Sequence, residues 1–183
     1  MAILLPHYQK VIYVDLDTTF TAYINAELIF KEKRNSPRSI KIYLPTEGTF
    51  ESLLLDVMES MSDSSIVVFD SVNSFYNMYF NRIDINSGSG ISNLNHLFSI
   101  FIMLMIKHAT FLKIPVLVTN MFRYKKKGNQ WTLSFTSKRI LEKKSIVKFI
   151  VEMINEDEMS INIMRHPTII PQTVILQNKG IHL

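Results

Sequence analysis

Ile66-Val67-Val68-Phe69-Asp70-Ser71-Val72-Asn73-Ser74-Phe75 decides the reading of this chain. It opens on four apolar residues in a row, three of them β-branched, the pattern of a strand buried on both faces. The run stops at a carboxylate followed by a hydroxyl, where a parallel strand meets the loop above its sheet. In open α/β sheets ligands gather at those carboxyl ends. An Asp so placed can help to hold a phosphate-bound Mg²⁺ in phosphoryl-transfer proteins. It can equally cap a buried strand and start a turn.

Working back from that stretch, Val11-Ile12-Tyr13-Val14-Asp15 reads as a second buried strand, with Asp15 and Asp17 at its carboxyl end. Met1 to Gln9 reads as the last turns of a helix. Thr19 to Phe30 has helical spacing through Phe20, Tyr23, Ile24 and Leu28, and residues 31–39 form a polar turn. Ile40 to Leu44 is a third strand, stopped by Pro45. Phe50 to Met61 is a second helix, with Thr46 or Thr49 as its N-cap. Strand, helix, strand, helix, strand implies a parallel sheet with right-handed crossovers and helices on its faces.

Working forward, Asn81 to Asn95 is a loop rich in Asn, Ser and Gly, followed by a helix from about Leu94 to Leu112. Ile114 to Thr119 is a fourth buried strand, with Thr119 and Asn120 at its carboxyl edge. Phe122 to Arg139 then mixes cations with aromatics. Bases stack on rings while lysines neutralise phosphates, so this mixture suits single-stranded nucleic acid. A basic β-hairpin turning at Lys127-Gly128-Asn129, with its aromatics packed inward, fits the same residues. Ile146 to Ile154, Met159 to Arg165 and Thr173 to Gln177 read as an antiparallel meander.

Composition sets the outer limits. The chain has 183 residues, 47% hydrophobic and 20% charged, and is read as one domain, residues 1–183. It has no cysteine, which excludes disulfides and thiolate metal sites and suits a reducing cytoplasm. No secretory signal pattern opens it. Leu97 to Ile106 is about half the length needed to cross a bilayer, so it is read as a buried helix and no membrane partner is expected. His96 and His108 are too far apart to chelate one metal, and no H-E-x-x-H or G-x-S-x-G occurs, so no metal site or serine hydrolase is expected. The net charge of +4 is modest, but Lys125, Lys126 and Lys127 lie together, and Lys138, Arg139, Lys143 and Lys144 follow.

In that order of elements the residues resemble the ATPase core of the RecA-type recombinases, archaeal RadA and its shorter paralogue RadB above all. Val11 to Phe20 is similar to the family's Y-I-D-T-E-G-T-F strand end, and Ile66 to Ser71 to its Walker B strand, L-V-V-I-D-S. Pro115-Val116-Leu117-Val118-Thr119-Asn120 resembles A-V-V-I-T-N-Q, Ser137-Lys138-Arg139 resembles S-T-R, and Gly180-Ile181 resembles the terminal G-I. Thr46-Glu47-Gly48-Thr49-Phe50 spells the acidic motif almost literally, but one strand and one helix too late, so Glu47 is not the family's Glu.

The resemblance implies an α/β fold: a RecA-like three-layer core, mainly parallel, flanked by helices, with a C-terminal antiparallel strand extension. Departures from the pattern shape the expected function. No G-x-x-x-x-G-K-[ST] occurs, so no backbone nest or lysine grips the β- and γ-phosphates. Asp17 stands at the catalytic Glu position and Met121 at the Gln. The expectation is a truncated, non-catalytic paralogue without ATP or Mg²⁺, in which Asp15, Asp17, Asp70 and Asn120 are degenerate nucleotide-site positions. By the same resemblance Asn81 to Asn95 and Phe122 to Ser137 are the DNA-binding loops. The expected DNA contacts are Arg82, Arg123, Tyr124, Lys125, Lys126, Lys127, Trp131, Lys138 and Arg139. Expected partners are single-stranded DNA, a RadA-like recombinase, and a second copy or another subunit. Two other readings stand beside this one: a residual nucleotide-binding protein or ATPase completed by a partner, and a structural or regulatory subunit with no DNA role.

Overall fold

Five consecutive residues of β1 (Lys10–Asp15) are buried, as are the first five of β3 (Ser65–Asp70), and the two strands run parallel side by side. A computed structural model describes residues 9–27, 39–46, 48–79, 89–135 and 144–177. β2 (Ser39–Tyr43) and β4 (Val116–Val118) pair outside them, giving a four-stranded parallel sheet in the order β2-β1-β3-β4. The chain divides into two compact units, Met1–Ser137 and Lys138–Leu183.

Alternation along the strands sends side chains to opposite faces of this sheet. On one face Val11, Tyr13, Ile66 and Val68 form a cluster with Phe20, joined by Ile24, both from α1 (Thr19–Asn25). The Tyr13 and Phe20 rings stack at 3.8 Å, nearly parallel. The other face is aromatic. Phe69 meets Phe98 and Phe101 of α4 (Ser89–Leu112). Phe50, opening α2 (Phe50–Ser60), meets Phe101 and also Phe75 of α3 (Val72–Tyr79). Each fully buried ring of this kind contributes about 1.5–3 kcal/mol. Helices on both faces make the three layers expected from the alternating pattern.

The differences from expectation are local. α3 was not anticipated, although Val72, Phe75, Tyr76 and Tyr79 hold helical spacing in the quoted stretch and just beyond it. α4 begins at Ser89, so Ser89 to Asn95 is helix and not loop; the apolar repeat at Leu94, Phe98 and Phe101 carries it back through residues of low propensity. By length and composition Ser92–Leu112 is long enough and apolar enough to cross a membrane, more than Leu97 to Ile106 suggested. In this fold its apolar side packs on β3. α1 stops at Asn25, short of Phe30, with Glu27 at φ 55°. Thr49 takes the N-cap position of α2, but its hydroxyl accepts the Thr46 amide instead of a helix amide. The expected helix in Met1 to Gln9 lies almost wholly outside the described residues, as do Glu47, Ser137 and Gly180-Ile181.

The remaining strands are antiparallel. β5 (Phe122–Lys127) and β6 (Gln130–Phe135) form the hairpin expected there, turning at Gly128-Asn129, with Gly128 at φ 63°, where a Cβ would be disfavoured. In the second unit β7 (Lys148–Met153), β8 (Glu158–Arg165) and β9 (Gln172–Gln177) form the expected meander, order β7-β8-β9.

Candidate functional site

Asp15 ends β1 directly opposite Asp70, which ends β3. Tyr13, Asp15 and Asp70 share the α1 face, so the strand period brings two carboxylates and a phenol to one corner of the sheet. Like charges opposed across strands repel. Each carboxylate here is instead supplied with hydrogen-bond donors.

Tyr13 Oη donates to Asp70 Oδ2 at 2.5 Å, and the Thr119 hydroxyl, just past β4, donates to Asp70 Oδ1. Asp15 Oδ2 accepts the backbone N–H of Thr21 at 2.8 Å and its hydroxyl at 2.7 Å. Asp17 Oδ1 accepts the Thr19 amide at 3.1 Å, and its Oδ2 accepts the Ser74 hydroxyl at 3.2 Å. Between Asp17 and Thr19, Thr18 holds φ 64°, a left-handed conformation that is an outlier for a β-branched residue. Burial, and then the hydrogen bond and negative charge of Asp70, push the Tyr13 hydroxyl well above the ordinary phenol range, so it is a neutral donor.

Asp15, Asp17 and Asp70 thus converge as the strand ends predicted. Asn120 sits half-buried one residue beyond Thr119. The donor set does not fit a resident divalent cation, because both Asp70 oxygens and one oxygen of Asp15 are engaged by donors of the protein. Among the described residues no group of three His, Cys, Asp or Glu is arranged to hold one. One atom stands apart: Asp15 Oδ1 is buried and has no hydrogen-bond partner among the described residues.

The same corner anchors the hairpin. β4 continues through Thr119, whose amide donates to Phe69 O and whose carbonyl accepts from Val72 N. Two residues on, the Met121 amide donates to Oδ1 of Asn73, a buried residue of α3, at 2.6 Å. The basic-aromatic hairpin therefore starts from a root fixed to the helix that follows Asp70.

On the hairpin Lys126 lies directly opposite Trp131, and Lys127 opposite Gln130. Lys126 and Lys127 are exposed, and the Trp131 side chain is 66% exposed, which corrects the inward-packed alternative for this ring. Arg123, Tyr124 and Lys125 lie on β5, opposite Ser134, Leu133 and Thr132. Arg82, Lys138 and Arg139 lie outside the described residues.

Sequence reading named the carboxylates but missed Tyr13, Thr21, Asn73 and Ser74 as the residues that support this corner. A signal existed for Tyr13: two residues before Asp15 on a strand, it shares the Asp15 face, and a buried phenol needs an acceptor. For Thr21 and Ser74 the contacts depend on how loops return to the sheet, which local pattern does not specify.

No protein-family model and no curated protein sequence matches this chain. Among solved structures the ATPase domain of a RecA-like helicase is similar, with a TM-score of 0.53 over 92% of this chain and 71% of that one, at 14% identity. At that identity the likeness speaks for architecture, and with the parallel order β2-β1-β3-β4 it identifies an α/β protein of RecA-like fold.

Proposed function

We propose that this chain is a non-catalytic accessory protein of recombinational DNA repair that holds single-stranded DNA on the β5–β6 hairpin, with a RadA-like recombinase as its protein partner. The observation that carries this reading is the opposed, exposed pair Lys126 and Trp131. A ring beside an ammonium offers a base a stacking platform and its phosphate a counter-charge, without demanding a sequence. The non-catalytic part is supported by the carboxylates: Asp70 is engaged on both oxygens by Tyr13 and Thr119. The recombination assignment rests on the order of the sequence motifs.

Titration of a labelled single-stranded oligonucleotide with the full chain, followed by fluorescence anisotropy across a salt series, tests it. Binding that weakens steeply with salt, and that is lost on reversing Lys126 and Lys127, is expected. No binding at low salt overturns the DNA role and leaves a structural or regulatory subunit.

A nucleotide site completed by a partner is a second reading, favoured by the buried, unpartnered Asp15 Oδ1. ATP hydrolysis that disappears in Asp70→Asn would establish it over the first.

A further inference from the structure

We propose that two copies of this chain associate through one face of the β7-β8-β9 sheet, each copy's acidic turn lying over the other's basic end. Pairing registers define that face. Phe149, Val151 and Met153 on β7 lie opposite Ile163, Ile161 and Met159 on β8, and the last two lie opposite Val174 and Leu176 on β9. Opposed residues of an antiparallel pair share a face. Eight apolar side chains therefore occupy one side, while Glu152, Ser160, Asn162 and Thr173 fall on the other.

The apolar side is not buried. Phe149, Val151, Met153, Val174 and Leu176 are all exposed, Met153 to 63%. A contiguous apolar face of this kind marks an interaction surface. Two such sheets pack face to face about 10 Å apart with their side chains interdigitated.

Charge selects the occupant. At one end of the sheet the β7–β8 turn carries Glu156 and Asp157, with Glu158 starting β8. At the other end Lys148 is paired with Arg165, and Lys144 stands just ahead of Ser145, whose carbonyl accepts from Arg165. The face is therefore apolar with an acidic end and a basic end. A two-fold axis in the interface plane, perpendicular to the strands, reverses the second sheet. It sets acid over base twice, an isologous arrangement complementary only to itself. The face is small, about 15 Å by 20 Å for three six-residue strands, so the dimer should dissociate on dilution.

Sedimentation velocity of the full chain over a concentration series at low salt is the test. The wild type should move from monomer to dimer. Lys144→Glu with Lys148→Glu makes both ends acidic, and Glu156→Lys with Asp157→Lys makes both ends basic. Each double variant alone should associate more weakly by about tenfold or more, and an equimolar mixture of the two should recover the dimer. Arg165 is left in place because it holds the Ser145 carbonyl. Far-UV circular dichroism checks that each variant is folded, and Val151→Lys, at an exposed position on the face, gives an independent disruption. A wild type that stays monomeric throughout overturns the proposal. So does a mixture that associates no better than its separate components.

Discussion

Tyr13 and Asp70, 57 positions apart in the chain, meet across β1 and β3 with the phenol donating to the carboxylate at 2.5 Å. This bond fixes the side chain at the end of the central strand from within the protein. Replacing Tyr13 by Phe keeps the stack on Phe20 and leaves Asp70 Oδ2 without this donor. The expected cost is about 1–3 kcal/mol of stability, read from urea unfolding. A loss below about 0.5 kcal/mol, the usual size of a neutral surface change, would show that water replaces the phenol freely.

The same phenol gives stability a pH dependence. Its pKa is raised in the folded state, so above the ordinary phenol value of about 10 the unfolded chain releases a proton that the folded chain retains. Tyr13's contribution is complete below that value and falls as pH rises beyond it. Unfolding followed from pH 8 to 11 should show a decline that is shallower in Tyr13→Phe; equal slopes would refute the assignment.

Thr18 offers a gain. A β-branched residue at φ 64° is strained by about 1–2 kcal/mol, which glycine relieves. Thr18→Gly should raise the urea midpoint, less the unfolded-state entropy that glycine adds. A lowered midpoint would mean that the hydroxyl bond to Asp17 O outweighs the strain.

Asn73→Ala tests the root of the hairpin. It removes the acceptor of the Met121 amide. Amide hydrogen exchange should accelerate at Met121 and along β5 while β1 and β3 stay protected, and oligonucleotide affinity should fall with it. Unchanged exchange at Met121 would uncouple the hairpin from the corner.

Trp131→Ala should weaken single-stranded DNA binding by about 1–3 kcal/mol, the cost of removing one stacked base from its platform. Lys126→Glu or Lys127→Glu should instead flatten the salt dependence, by about 0.7 in log–log slope for each phosphate that is no longer neutralised. A tryptophan variant that alters only the salt slope would argue against stacking.

The parallel core was legible because Val11 to Asp15 and Ile66 to Asp70 are unbroken apolar runs ending in carboxylates, and because helical spacing separates them. The hairpin and meander were legible from turn residues such as Gly128 and Asn155. α3 escaped because its first residues, Val72 to Phe75, read as the continuation of a strand. The carboxylates could be named from sequence, but their chemistry could not. Whether Asp70 faces a ligand or a phenol depends on the side chain that the neighbouring strand presents at the matching register, and that is a tertiary fact.

The chain has one tryptophan, and it stands exposed on the hairpin while the core is built of phenylalanines. Its intrinsic emission is therefore a local spectroscopic reporter. A nucleic acid stacking on Trp131 should quench or shift that signal directly, without an added label. Loss of the phenylalanine core should leave the emission maximum almost where it began, since the indole is in water before and after. Binding can then be followed by tryptophan fluorescence and folding by circular dichroism, as two separable optical channels in one unmodified protein.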